Sequence, residues 1–366
     1  MEFVPLQTVK ESFVGAISSL KIFNDKYYIG TGMSQLSQIL VFDSSGYFLY
    51  KLDKRGLGRD EYVEIKDFDI IREDVIAVVS HTNPRLLIYD LKKDTCILNK
   101  KMGNYPTNIL CIDEELYIFT KNIKVRNTDS NTGEILAENN IVLKYDLNGN
   151  LLGSLFTPNK IDENKINYIT PMKVFDSQDK KKVYFNYPWS NYIYEIDHNS
   201  LRNIFSLDFR NQSISDDVFE NVSNILDIVK NIKRNKGLFL MNYFSVTEDY
   251  VYIQFEDYEE NGYILFYDLK SKKEIKGHYL IDDLFFKNYR CKMDAMSLPK
   301  LLDGGNLIWC IDNDIIMNNL VDFKNRVSDN DWNEIRKKNE RVVNVLEQMK
   351  EDDNPMIVKM KVKLNL

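Results

Sequence analysis

The sequence predicts an all-β chain, a six-bladed β-propeller whose N-terminal strand completes the last blade, with two helical insertions. Three observations lead there: a strand–turn–strand pattern that recurs six times, a composition suited to sheet, and a strand at the N-terminus with no partner of its own. Hydrophobic residues make up 44% and charged residues 28%, the balance of a folded chain. With 22 Tyr and 20 Phe it favours a pleated, half-buried surface.

The recurring unit is an apolar strand ending in Asp, a turn, and a second strand. It reads Ile39–Asp43, Leu86–Asp90, Val142–Asp146, Tyr192–Asp197 and Ile264–Asp268, with an imperfect sixth copy at Met356–Lys361. Another alternating strand precedes each copy, at Tyr27–Thr31, Val75–Ser80, Leu116–Thr120, Val183–Tyr187, Tyr250–Phe255 and Leu307–Ile311. A third candidate lies upstream of several of these, as at Phe68–Ile71, which makes a four-stranded meander per unit. The Asp ending each copy is read as a turn former, because its carboxylate accepts from backbone N–H groups two residues on.

From Asp43 to Asp90, Asp146 and Asp197 the copies lie roughly 50 residues apart, the length of a blade with its loops. The intervals to Asp268 and Met360 are longer, and each contains a helical pattern. Ser215–Lys236 carries apolar residues at helical spacing and stops at Gly237; Ser328–Met349 has Ser328 as N-cap and Trp332, Ile335, Val342, Val343, Leu346 and Met349 on one face. The predicted blades cover about 15–53, 65–102, 106–157, 168–210, 237–281 and 298–366 of one domain. The last is closed by 2–10, and the insertions fall at about 213–236 and 320–350. Closure by the first strand removes two exposed edges at once.

Charge and cysteines narrow the function. A net charge of -7 argues against general nucleic-acid binding. No apolar run is long enough to cross a bilayer, and no signal peptide precedes the first strand. Cys96, Cys111, Cys291 and Cys310 form no CxxC pair or zinc spacing and read as reduced structural thiols. No cofactor is expected, and a monomer is expected.

The segment Lys54–Tyr62 resembles a family of six-bladed propellers of Bacteroidetes, of the NHL/TolB-like kind, whose members carry Gly-x-Gly-Pro-Gly-Glu-Tyr after the first blade. This chain matches at Gly56, Gly58, Glu61 and Tyr62 and departs at Arg59 and Asp60; Phe68-Asp69-Ile70 and Asn354-Pro355 are also similar. The resemblance implies the propeller fold and export to the periplasm or cell surface as a lipoprotein. Without it, a cytoplasmic location is the alternative.

In a propeller the interblade loops share one face with the loops between second and third strands. That face should display Arg55, Arg59, Glu61 and Tyr62, then His81 and Arg85, with Tyr105, Trp189, Tyr192, Tyr258 and Arg290 approaching it. Aromatic rings beside Arg suit a glycan or protein ligand. The first reading is therefore a non-enzymatic binding propeller. The alternative is a calcium-dependent hydrolase or lyase of the six-bladed lactonase type, which three or more oxygen ligands converging in the channel would mark. No Asp-box turn of sialidases and no Gly-x-Ser-x-Gly elbow is present. His81, His198 and His278 do not suggest a shared metal centre.

Overall fold

Six four-stranded antiparallel sheets form the six blades, each running from an innermost to an outer strand. Blade 1 holds Ile17–Phe23, Lys26–Thr31, Gln38–Asp43 and Phe48–Leu52; blade 2 holds Asp67–Arg72, Val75–Ser80, Arg85–Asp90 and Thr95–Lys101. Blade 3 holds Pro106–Ile112, Glu115–Thr120, Val142–Tyr145 and Leu151–Leu155; blade 4 holds Lys173–Asp176, Val183–Asn186, Tyr192–Asp197 and Ser200–Ser206. Blade 5 holds Leu240–Val246, Tyr250–Glu256, Gly262–Asp268 and Glu274–Gly277. Blade 6 takes Lys300–Leu302, Asn306–Ile311 and Met356–Lys361 from the end of the chain and Glu2–Pro5 from its start. The computed structural model describes residues 2–32, 37–120, 127–128, 135–137, 141–156, 173–176, 181–187, 189–197, 200–208, 213–237, 240–257, 259, 261–277, 279–280, 289–290, 300–302 and 306–361.

The turn chemistry follows the recurring Asp. Asp43 Oδ1 accepts from the N–H groups of Ser45 and Tyr47, Asp146 Oδ1 from Asn148 and Asn150, and Asp268 Oδ1 from Lys270 and Ser271. Asp90 does the same for Lys93. Asp197 differs: its carbonyl takes the Ser200 hydroxyl, and its carboxylate faces Arg202. The outer pairs of blades 1 to 4 also share a register shift, at Val41/Phe42, Ile88/Tyr89, Lys144/Tyr145 and Ile193/Tyr194. Such a bulge strengthens the local twist, which the outer edge of a blade requires.

The core lies in the wedges between blades. In the strand Val75–Ser80, Ile76 and Val78 pack towards blade 1, while Val75, Ala77 and Val79 pack towards blade 3. Both sheet faces are covered, so the strand reads as continuous apolar sequence and every residue in it is buried.

The ring closes at Asn354, which is buried. Its Oδ1 accepts from Val14 N–H at 2.9 Å, and its Nδ2 donates to the carbonyls of Gln7 at 2.8 Å and Ser12 at 2.7 Å. Its own N–H reaches Thr8 Oγ1, and Asn313 Nδ2 donates to its carbonyl. Phe3 and Val4 of the closing strand, and Leu6 just after it, are buried.

The insertions differ in detail from the sequence reading. Ser215–Lys236 was expected as one helix; instead a 3-10 turn over Asp216–Phe219 precedes α1, Ile225–Asn235. Asn224 interrupts it, because its side chain caps the N–H groups of Leu226 and Asp227 and starts the helix afresh. Lys236 then adopts a left-handed conformation before Gly237. The second insertion is three helices: α2 (Asn313–Lys324), α3 (Asp329–Lys338) and α4 (Glu340–Gln348). Ser328 caps α3 through Asp331 N–H. Asn339 separates α3 from α4, leaving the helical region at φ -124° and ψ 33°. Ile316, Leu320, Val343 and Leu346 bury α2 and α4 against the wedge of blades 5 and 6, with Trp332 and Met349 at its margin.

Candidate functional site

The segment between blades 1 and 2, residues 53–66, organises the upper face of blade 2. Tyr62 is 1% exposed, and its hydroxyl meets the carbonyls of Ser37 and Leu52 at 3.1 and 3.3 Å and the N–H of Lys54 at 3.2 Å. Burial pushes its phenol well above the usual tyrosine range. Glu61 turns back into its own loop, where Oε2 accepts from Gly58 N–H at 2.7 Å. A Cβ at position 56 would lie 1.9 Å from that carboxylate, so glycine is required for the clamp to close. Glu64 extends the same scaffold to the next loop, accepting from the N–H groups of His81 and Thr82.

This scaffold carries Arg59 and Asp60 over the outer strand of blade 2. The Asn99 amide donates to the Arg59 carbonyl, and the Tyr89 hydroxyl donates to the Asp60 carbonyl at 3.1 Å. Arg85, at the head of the third strand, donates from Nη1 to Asn99 Oδ1 at 3.0 Å. Together Arg59, Asp60, Arg85, Cys96, Ile97, Asn99 and Lys101 line a cleft of about 240 Å³. Arg59, Arg85 and Lys101 form no ion pair among the described residues. Lys21, Lys26 and Lys144, by contrast, sit on Asp69, Asp74 and Glu115. Burial raises the Cys96 thiol, and Asp60 raises it further against the opposing pull of Lys54 and Arg59. Asp60 thus lines the same cleft as the three cations.

On the other side of blade 2, towards blade 3, His81 and Tyr105 pair ring to ring at 5.1 Å. His81 Nδ1 lies 3.1 Å from the Pro106 carbonyl, and Tyr105 is 41% exposed. The structure thus brings Arg59, Arg85, His81 and Tyr105 to the upper rim of one blade. Glu61 and Tyr62 support that rim from within, and Arg55 joins them through a backbone bridge to Tyr62. Trp189 lies elsewhere and is buried: it packs on Phe219 at 5.2 Å with Ile228 and Ile232, and so seats α1 on blade 4. Tyr192 is exposed on blade 4. Arg290 falls in a two-residue ladder with Tyr279, and Tyr258 lies outside the described residues.

Asn99, Lys101 and Glu64 had no place in the sequence reading. Asn99-Lys100-Lys101, a polar run closing an otherwise apolar outer strand, was the available signal. A larger cleft of about 480 Å³ sits at the opposite end of the closing blade, where Lys359 is already engaged by Glu2 and Tyr27. Among the described residues no three His, Cys, Asp or Glu side chains form a group suited to a metal ion. Asp69, in the innermost strand, is taken up by Lys21 and by Cys111 N–H.

Six radial antiparallel blades closed by the first strand define the protein as a six-bladed β-propeller. Residues 1–361 match DUF4934, a domain of unknown function, and the chain belongs to that family. Among solved structures it is similar to a "putative exported protein" of Bacteroides fragilis, at 16% identity and TM-score 0.70, over 99% of this chain and 95% of that one. It is also similar to a member of the DUF4221 family from Bacteroides vulgatus, at 11% identity and TM-score 0.49, over 75% and 84% of the two chains. No curated protein matches the chain significantly.

Proposed function

We propose that this propeller is a non-enzymatic binding protein that engages a glycan or protein ligand through its upper face, chiefly over blade 2. One observation carries the reading: three cations without ion pairs among the described residues and an exposed Tyr105 packed on a partly buried His81 share one rim, on loops held by buried hydrogen bonds. Loops fixed in advance lose little entropy when a ligand arrives. Tyr105 offers a ring face for an apolar ligand surface, and Arg59 and Arg85 supply directional donors. In this reading Gly56–Tyr62 is the buttress of the site, the counterpart of the Gly-x-Gly-Pro-Gly-Glu-Tyr segment it resembles.

The likeness to a protein described as exported supports a place beyond the cytoplasmic membrane. No helix among the described residues is long and apolar enough to cross one. The test is a glycan and peptide array read with the wild-type protein and with Tyr105→Ala and Arg59→Ala. Both positions are exposed, so folding should survive. Binding that falls at least tenfold in both variants is expected. Binding unchanged in both would reject the upper rim of blade 2 as the site.

A further inference from the structure

We propose that the cleft of Arg59, Arg85, Asn99 and Lys101 is a subsite for the carboxylate of an acidic sugar, a uronate within a glycan. This inference rests on the binding role proposed above and specifies its ligand chemistry.

Three cations face one carboxylate in a chain whose net charge is -7, and none of the three is neutralised by an ion pair among the described residues. Mutually repelling cations around one cleft favour an anion that bridges them. Arg85 adds direction. Its Nη1 is held by Asn99, and its Nε is buried with no acceptor. An unmet buried donor carries a cost, so part of this guanidinium is left unsatisfied in the protein alone. A guanidinium edge presents paired donors matched to a planar carboxylate.

Asp60 decides between kinds of anion. It lines the cleft beside the three cations, and its carboxylate would repel a bare sulfate or phosphate. A sugar acid brings hydroxyl donors along with its charge, so it satisfies Asp60 and the cations together. An acidic peptide offers carboxylates without hydroxyls on neighbouring carbons. The cleft volume, about 240 Å³, suits one monosaccharide unit rather than a folded surface.

The test uses the full chain and three probes in calorimetric titration: tetragalacturonate, the corresponding neutral galactose tetramer, and poly-glutamate. Inorganic sulfate is titrated separately. Tetragalacturonate should bind at least tenfold more tightly than the neutral tetramer, and more weakly as salt rises. The double variant Arg59→Ala/Lys101→Ala should erase that preference while leaving the melting midpoint unchanged. Tetragalacturonate should also slow alkylation of Cys96, the half-exposed thiol in the cleft wall. Equal binding of the two tetramers, unaffected by the double variant, would overturn the uronate assignment and leave glycan binding standing. Preference for poly-glutamate or for sulfate over tetragalacturonate would overturn it too. Binding of no glycan or peptide on the array would instead bring down the broader role.

Discussion

Replacing Asn354 tests whether one buried amide holds the ring shut. Asn354→Ala removes three short side-chain hydrogen bonds, to Val14 N–H and to the carbonyls of Gln7 and Ser12, and a longer one to Ser12 Oγ, at a buried position. At about 1 kcal/mol net for each short bond, the loss is about 3 kcal/mol, and more if the orphaned groups stay dry. Unfolding entropy near 2.1 cal/mol/K per residue gives roughly 0.8 kcal/mol/K for this chain, so the midpoint should fall by about 4 °C. Scanning calorimetry reads this directly. Asn354→Asp sharpens the test, because it keeps the acceptor for Val14 but points a carboxylate at two carbonyls. The introduced carboxyl should have a raised folded pKa. Its variant should therefore be most stable below the unfolded value of about 3.9 and lose stability as pH rises through the folded one. A midpoint for Asn354→Ala within about 1 °C of wild type would refute the clasp, since it would imply less than about 1 kcal/mol.

Deleting residues 1–10 should cost more than any point change. It exposes the strand Met356–Lys361 as an edge and removes buried Phe3, Val4 and Leu6, together about 6 kcal/mol of burial, which a denaturant titration would register as loss of most of the native baseline. Tyr62→Phe should cost about 1–2 kcal/mol by urea unfolding, because it strips the hydroxyl from two carbonyls and one N–H inside the buttress. Asp257 supplies a pH signature. Burial alone would raise its carboxyl, but hydrogen bonds from Asn261, Tyr263 and Glu259 N–H outweigh this and hold it below the usual range. A lowered folded pKa gives stability that is present above the unfolded value and lost as pH falls through the folded one. Asp257→Asn should thus melt lower than wild type at pH 7, with the gap narrowing below about pH 4.

The blades were legible because their signals are local. An alternating strand, an Asp, a turn and a second strand occupy neighbouring residues, and the hydrogen bonds of Asp43, Asp146 and Asp268 are made within four positions. The helices were legible only as apolar stripes. What divides them is the side chain of Asn224 and the backbone of Asn339, and polar residues inside a stripe give no warning of which one will cap. Asn313–Lys324 escaped notice because its first residue is fixed by carbonyls of Asp353 and Asn354, some forty positions away.

The site was half legible for the same reason. Arg59 and Arg85 could be assigned to one face by counting strands, but residue type alone could not separate an exposed donor from a buried prop. Tyr62 and Arg59 are three residues apart and have opposite fates. Tyr62 finds acceptors in the wedge beneath, whereas Arg59 is lifted outward by a loop whose Gly56 and Gly58 close around Glu61. Asn99 and Lys101, which share a cleft with Arg59 and Arg85, lie on the outer strand, away from the channel mouth where propeller sites are usually sought. Lys21 and Asp69 are joined to each other in the innermost strands, whereas Arg59, Arg85 and Lys101, without ion pairs among the described residues, line the outer flank of blade 2. The proposed binding surface is thus a blade edge backed by an interblade loop held by internal hydrogen bonds, and it draws on no residue of the central channel.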